Sequence, residues 1–277
     1  MMTLLTDNRA SRILYNYLES NHFEKPFLVP VNVCSIIPKV FAETGTPIEF
    51  VDINRDSLCL DLEFLCKDVS SYSGVLFVHT YGTERSFEND FKRIKNSHPD
   101  FQIIDDRCLC FPRWESVESS ADLLLFSVGE KKQVDCGRGG IAFIKEGIRY
   151  LSQPLKVDSV LDDYQWEPEF NSLKVRTEES LRHKKTINAI YQGKLPKYIQ
   201  LDEEFQNWRF NILVDNKEFI LKELFDNRLF ASSHYSPIVP MDGNALALHN
   251  RIINLFNDFY YTEEMALKTC EIILRCI

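Results

Sequence analysis

Two adjacent lysines stand where an apolar run gives way to glycines. In LFSVGEKKQVDCGRGGIAF, residues 125–143, Ser127 closes the run, Lys131 and Lys132 follow, and Gly137, Gly139 and Gly140 come next. An amine attacks a carbonyl only when unprotonated, so its reference pKa of about 10.4 must fall for reaction near neutrality. Burial at a strand end and a neighbouring cation both push that way, and Lys131 would supply the cation beside Lys132. A lysine so placed suits an imine with an aldehyde cofactor. Pyridoxal phosphate, such an aldehyde, needs a carboxylate against its ring nitrogen to keep the pyridinium able to absorb electrons. It also needs hydrogen-bond donors for its phosphate, which hydroxyls and the amides of a helix start provide. Asp106 could be the carboxylate, and Ser127 with the stretch Arg9, Ala10, Ser11 could supply the donors.

These residues fall where apolar runs stop. FLVPV (27–31), PIEFVDI (47–53), GVLFVHTYG (74–82), FQIIDD (101–106) and ADLLLFSV (121–128) alternate with helical stretches. ASRILYNYL carries an apolar stripe, and SFENDFKRIKNS puts Phe87, Phe91 and Ile94 on one face. That order predicts crossover units and a mostly parallel α/β sheet buried on both faces and flanked by helices. Ligands of such sheets gather beyond the carboxyl ends of the strands. Asn32, His79, Tyr81, Asp105, Asp106 and Ser127 all sit there. Strand ends are polar throughout α/β proteins, so the set carries meaning that no single member does.

After one more strand, IAFIK, the texture changes, and a boundary is predicted near 150: a large α/β domain over 1–150, then a linker and a small C-terminal α+β domain over 151–277. The second part reads as an aperiodic stretch, VDSVLDDYQWEPEFNS, a charged helix (TEESLRHKKTINAIYQ), a strand (FNILVD), a helix (KEFILKELFDN), the segment LFASSHYSPI and a terminal helix. In the aperiodic stretch Tyr164, Trp166 and Phe170 offer a sugar-stacking surface as an alternative to plain packing. The basic cluster Arg182–Lys185 reads as a solvated helix face.

Composition narrows the function. A net charge of −9 without a basic block argues against nucleic acid, which needs clustered Lys and Arg. Eight cysteines include no CxxC, so no zinc site or other metal is expected. No apolar run approaches the roughly 18 residues of a membrane span, and a soluble cytoplasmic protein with reduced thiols is expected.

In order along most of the chain, ASRILYNYL, FLVPVNVC, ETGTPIEFVDI, VLFVHTYG, IIDD, FSVGEKKQVDCGRGG and LFDNRLFASSHYSP resemble the DegT/DnrJ/StrS family of sugar aminotransferases, pyridoxal phosphate enzymes of the aspartate aminotransferase fold. In that family a strand-end serine is followed five residues on by the Schiff-base lysine and, five further, by Gly-x-Gly-Gly. Ser127, Lys132 and Gly137-Arg138-Gly139-Gly140 fit, which selects Lys132 over Lys131. The resemblance makes Asp106 the pyridinium partner and Ser127 a phosphate ligand. Ala10 and Ser11 stand for the phosphate turn, and His79, Tyr81 and Gly82 match the family's HxYG. Cys34 stands where an aromatic ring normally stacks on the cofactor, and Leu109 where a Gln or His normally packs near it. His234 matches a segment near the substrate entrance, although a lone histidine beside a proline is more often a turn residue. Little sequence precedes the first helix, the long helix after the Gly-Gly reads as largely missing, and Asn171 is the one candidate for the asparagine that reaches a partner's phosphate.

What the resemblance implies is a homodimer with a seven-stranded sheet and a small C-terminal domain. Its activity would move an amino group from glutamate to a nucleotide-linked keto sugar, and Lys here favours transamination over the dehydration of relatives with histidine at that place. The alternatives are a degenerate, non-catalytic pyridoxal-fold partner subunit, favoured by Cys34, Leu109 and the missing helices, and a doubly wound nucleotide or flavin binder, disfavoured because no phosphate-binding glycine motif follows the first strand.

Overall fold

The computed structural model describes residues 1–63, 65, 69–115, 117–152 and 166–277. Its larger sheet takes β1 (Met2–Asp7), β2 (Phe27–Pro30), β3 (Ile48–Val51), β4 (Gly74–Val78), β5 (Gln102–Asp106), β6 (Leu123–Ser127) and β7 (Gly140–Lys145) in the order β1-β7-β6-β5-β4-β2-β3. Pairs β3–β2, β2–β4, β4–β5 and β5–β6 are parallel, whereas β7 runs antiparallel to both neighbours. The mostly parallel sheet expected from the alternating pattern is present.

Alternate residues serve opposite faces, as a strand's period of two requires. Val75, Phe77, Ile103, Leu124 and Phe126 join one apolar cluster with Phe91 and Ile94 of α3 (Glu88–Ser97). Leu76, Ile104, Leu123 and Leu125 join the other, with Ile13, Leu14, Tyr17 and Leu18 of α1 (Ala10–Asn21) and Val40 and Phe41 of α2 (Ile36–Glu43). Helices therefore cover both faces, which is why the central strands read as continuous apolar runs.

A 25-residue helix, α4 (Phe170–Lys194), follows, started by the Glu169 carboxylate accepting the N–H groups of Asn171 and Ser172. It begins seven residues before the stretch read as helical, so a long helix does follow the Gly-Gly, against the expectation that it was lost. Then come β8 (Phe210–Leu213), α5 (Lys217–Asp226), β9 (Ala231–Ser232), α6 (Asn244–Arg251), β10 (Ile252–Leu255) and α7 (Glu263–Cys276), with an antiparallel sheet in the order β8-β10-β9. Ile187 and Tyr191 of α4, Ile220 and Leu224 of α5, and Cys270 and Ile273 of α7 pack on that sheet. A further cluster joins the two sheets' surroundings: Val31, Tyr81 and Leu109 pack with Trp208, Leu248 and Ile252. Trp166 and Phe170 pack partly buried against the first cluster, with Phe170 stacked on Trp114; Tyr164 lies outside the described residues.

The sequence reading missed β1, α6 and β10 among others. β1 is fixed by six residue pairs with β7, from Met2–Lys145 to Asp7–Gly140. α6 is capped from far away: Asp52, just past β3, accepts the N–H groups of Asn244 at 2.6 Å and Ala245 at 2.8 Å. β10 follows α6 without a loop, so ALALHNRIINL carries no punctuation to part helix from strand. No helix of the described residues is long and apolar enough to cross a membrane.

Candidate active site

The two aspartates that end β5 point to opposite faces and meet different partners. Asp105 is fully buried, with His79 Nε2 2.9 Å from one oxygen and Arg107 Nε donating to the other at 2.7 Å. His79 Nδ1 lies 2.8 Å from the Thr83 carbonyl oxygen. Burial would raise the Asp105 carboxyl, but His79 and Arg107 outweigh it and hold it below the ordinary value. This is a structural ion group that fixes the HTYG turn. Asp105→Ala leaves the Arg107 guanidinium without its counter-charge and the buried His79 ring without its partner, and is expected to cost about 3–5 kcal/mol of unfolding free energy, read by urea titration. The native contribution is present above the unfolded carboxyl pKa and is lost as pH falls through the depressed folded one, so the difference between the proteins narrows in acid.

Asp106 faces the other way. It is 7% exposed, and the Cys108 N–H donates to its carboxylate at 2.9 Å. Burial raises its carboxyl above the ordinary value, against the Cys108 N–H and the charge of Lys132, which lower it; Asp105 adds to the rise. The ammonium of Lys132 thus acts across space on Asp106, and on the Cys108 thiol as well. Tyr235 completes this corner: its hydroxyl is pushed up by burial and by the fields of Cys34, Asp106 and Cys108. Cys34 is half-buried at this corner, and Leu109 is buried in the cluster with Tyr81 and Trp208.

Ser127 lies opposite Gly140 in the β6–β7 register, and Gly139 bridges to Arg9. A Cβ on Gly140 would sit 2.4 Å from the Ala10 nitrogen, so only glycine lets the start of α1 press onto the sheet here. Ala10 is buried and Ser11 half-buried in the first turn of α1, beside the strand end that carries Ser127. Unpaired first-turn amides and the helix dipole make such a place receptive to an anion. Asn171 is exposed in the first turn of α4.

Lys131 and Lys132 line a cavity of about 960 Å³ together with Arg176, Arg209, Phe256 and Tyr261. Of the residues read from the sequence as holding a cofactor, Lys132 alone lines it; Asp106, Ser127, Ser11, Ala10, Cys34 and Leu109 do not. His234, read above as more often a turn residue, stands near both lysines: burial, then Arg209 and Lys131, lower its imidazole. It packs at 5.8 Å from the Trp208 ring and 4.9 Å from that of Tyr235. Sequence reasoning passed over Tyr235 and Trp208, since neither is a conventional acid, base or nucleophile of such a motif.

Lys184 corrects the reading of Arg182–Lys185 as a solvated face. Arg182 and Lys185 are exposed, but Lys184 is 6% exposed and donates to the Trp208 carbonyl at 2.9 Å and to Asn257 Oδ1 at 2.8 Å. Burial and Arg209 push its amine down to about 7. Between that value and the unfolded one of about 10.4 the unfolded chain binds the extra proton, so stability rises with pH across this window. Lys184→Met is expected to remove at least about 1 kcal/mol of that rise, read by denaturation at several pH values.

The arrangement belongs to an α/β fold found in solved sugar aminotransferases. A DegT/DnrJ/EryC1/StrS aminotransferase from Brucella abortus aligns with a TM-score of 0.77 at 17% identity, over 99% of this chain and 85% of that one. A sugar aminotransferase from Micromonospora echinospora aligns at 0.75 and 15% identity, over 98% and 86%. A Streptococcus pneumoniae protein solved in its PLP form aligns at 0.73 and 15% identity, over 99% and 88%. The chain has the fold of these enzymes, as the resemblance in sequence predicted. The sequence matches no protein-family model and no curated protein sequence.

Proposed function

We propose that the protein is a pyridoxal-phosphate-dependent aminotransferase that moves an amino group, from glutamate, to a keto sugar attached to a nucleotide. What supports the reading is that Lys132 lies close enough for its charge to act on the buried carboxylate of Asp106, which ends β5 in the same sheet whose β6 ends in Ser127. The residues present fit the cofactor at three points: an amine, a carboxylate that accepts from the Cys108 N–H, and a helix start pressed beside a hydroxyl. Lys132 would hold the aldehyde carbon, Asp106 the ring nitrogen, and Ser127, Ser11 and the Ala10 amide the phosphate. Cys34 and Leu109 would border the ring. When bound, pyridoxal phosphate supplies an electron sink that acidifies the substrate's α-carbon.

The chain's own groups do the rest. The carboxylate of Asp106 would favour a protonated ring nitrogen. Lys132 Nζ takes the proton from the α-carbon and returns it, which general-base catalysis requires within hydrogen-bond reach. The cavity that Lys132 lines, with aromatic walls and the Arg209 and Arg176 guanidinium groups, suits a sugar and its anionic phosphates. The enzyme acts in the cytoplasm as a homodimer.

A second reading rests on Cys34 and Leu109. Neither offers the ring face or polar group that the resemblance leads one to expect, and Leu109 is spent on packing. That reading is a non-catalytic partner subunit that keeps the fold. Purified protein mixed with pyridoxal phosphate should give a visible absorbance band and, after borohydride, a covalent adduct on Lys132. Added glutamate should then convert the cofactor to its amine form. An adduct without that conversion favours the partner subunit, and no adduct on Lys132 sinks the aminotransferase.

A further inference from the structure

Two unfavourable features flank Lys132. Lys131 adopts φ 61°, the left-handed region that residues with a Cβ avoid. Gln133 is 2% exposed, yet neither end of its amide has a hydrogen-bond partner among the described residues. A backbone in such a state persists only where its surroundings over-determine it.

Side chains from distant parts of the sequence do so. Trp208 Nε1 donates to the Lys131 carbonyl at 3.0 Å, and Ser180 Oγ donates to the Gln133 carbonyl at 2.6 Å. The Lys131 N–H donates to Asp135 at 2.9 Å, which closes the loop on itself. The two carbonyls on either side of Lys132 are therefore held by α4 and by the segment entering β8. Trp208 is itself fixed: its N–H donates to the Tyr81 carbonyl at 3.2 Å, its own carbonyl accepts from Lys184, and its ring stacks on Tyr235 at 6.5 Å and 8°. Tyr235 in turn stands within the field of Asp106.

We propose that Trp208 and Ser180 are positioning residues for Lys132, holding the loop so that the amine stays over the Asp106 corner while its neighbours carry the local cost. The proposal rests on the reading of Lys132 as the cofactor-holding amine. It makes the C-terminal elements part of the reaction site without any of their atoms reacting.

The test compares Trp208→Phe, which keeps a ring and removes the N–H, with Ser180→Ala and the hydroxyl-retaining Ser180→Thr. Two quantities are read: amide hydrogen exchange of residues 129–137 in protein without cofactor, and the pyridoxal phosphate concentration that half-saturates the borohydride-trapped adduct on Lys132. Losing one such bond should speed exchange in the loop about tenfold and raise the half-saturating concentration about tenfold, with Ser180→Thr close to the parent. Loop exchange unchanged in Trp208→Phe and Ser180→Ala, or accelerated equally across the whole chain, overturns the proposal. So does a Ser180→Thr protein as impaired as Ser180→Ala. If the parent protein gives no adduct, the function proposed above fails, while the exchange pattern still decides whether this clamp exists.

Discussion

Replacing Lys132 with alanine is expected to abolish the borohydride-stable adduct with pyridoxal phosphate and to lower amino transfer from glutamate by about a thousandfold or more. The size of the effect follows from the two tasks assigned to one nitrogen, covalent capture and proton transfer at the α-carbon. Lys131→Ala serves as the comparison. Lys131 is exposed, and its carbonyl rather than its ammonium is what the structure holds, so this variant should keep the adduct at the same position. Peptide mass spectrometry after reduction distinguishes the two lysines directly. An adduct that disappears in Lys131→Ala and survives in Lys132→Ala would reverse the assignment.

Asp106→Asn should separate function from stability. Amide for carboxylate keeps an acceptor for the Cys108 N–H but gives up the charge that would keep the ring nitrogen protonated, and transfer is expected to fall by about a thousandfold. Stability should move the other way. Because burial raises the Asp106 carboxyl, the folded chain releases its proton at higher pH than the unfolded chain. Its stabilising contribution is complete below the unfolded carboxyl pKa of about 3.9 and is lost as pH rises through the folded value. Asp106→Asn, which never ionises, should therefore equal the parent in acid and match or exceed it at neutral pH, measured by denaturant unfolding without cofactor. A variant less stable at neutral pH than in acid, relative to the parent, would show that the carboxylate is held by more favourable partners than Cys108 and Lys132. Asp105 behaves oppositely, since its carboxyl is held down by His79 and Arg107, and the pair makes the contrast testable within one strand.

The large sheet was legible because its strands are buried on both faces. FLVPV, GVLFV, FQIID and DLLLF read as apolar runs for the same reason that they pack between α1 and α3. The spacing of Ser127, Lys132 and Gly137-Arg138-Gly139-Gly140 was legible too, because a lysine on a tight loop and glycines under a helix start leave a local pattern. β1 and α6 were not. The first is specified by its register with β7, and the second begins on a carboxylate 192 residues away.

The sequence by itself determined the fold class, the alternation of the central strands with helices, and which carboxylate and hydroxyl fall at strand ends with an amine close behind, because these depend on periodicity and short-range spacing. Only the tertiary structure decided that Asp105 and Asp106 serve different partners on opposite faces, that Lys184 is buried under Trp208, and that Trp208 and Ser180 grip the carbonyls beside Lys132. Those outcomes depend on groups that lie far apart along the chain and meet only when the two sheets pack around the cluster of Tyr81, Leu109 and Trp208. A hydrogen bond between residues 131 and 208 has no period and leaves no mark on either stretch of sequence.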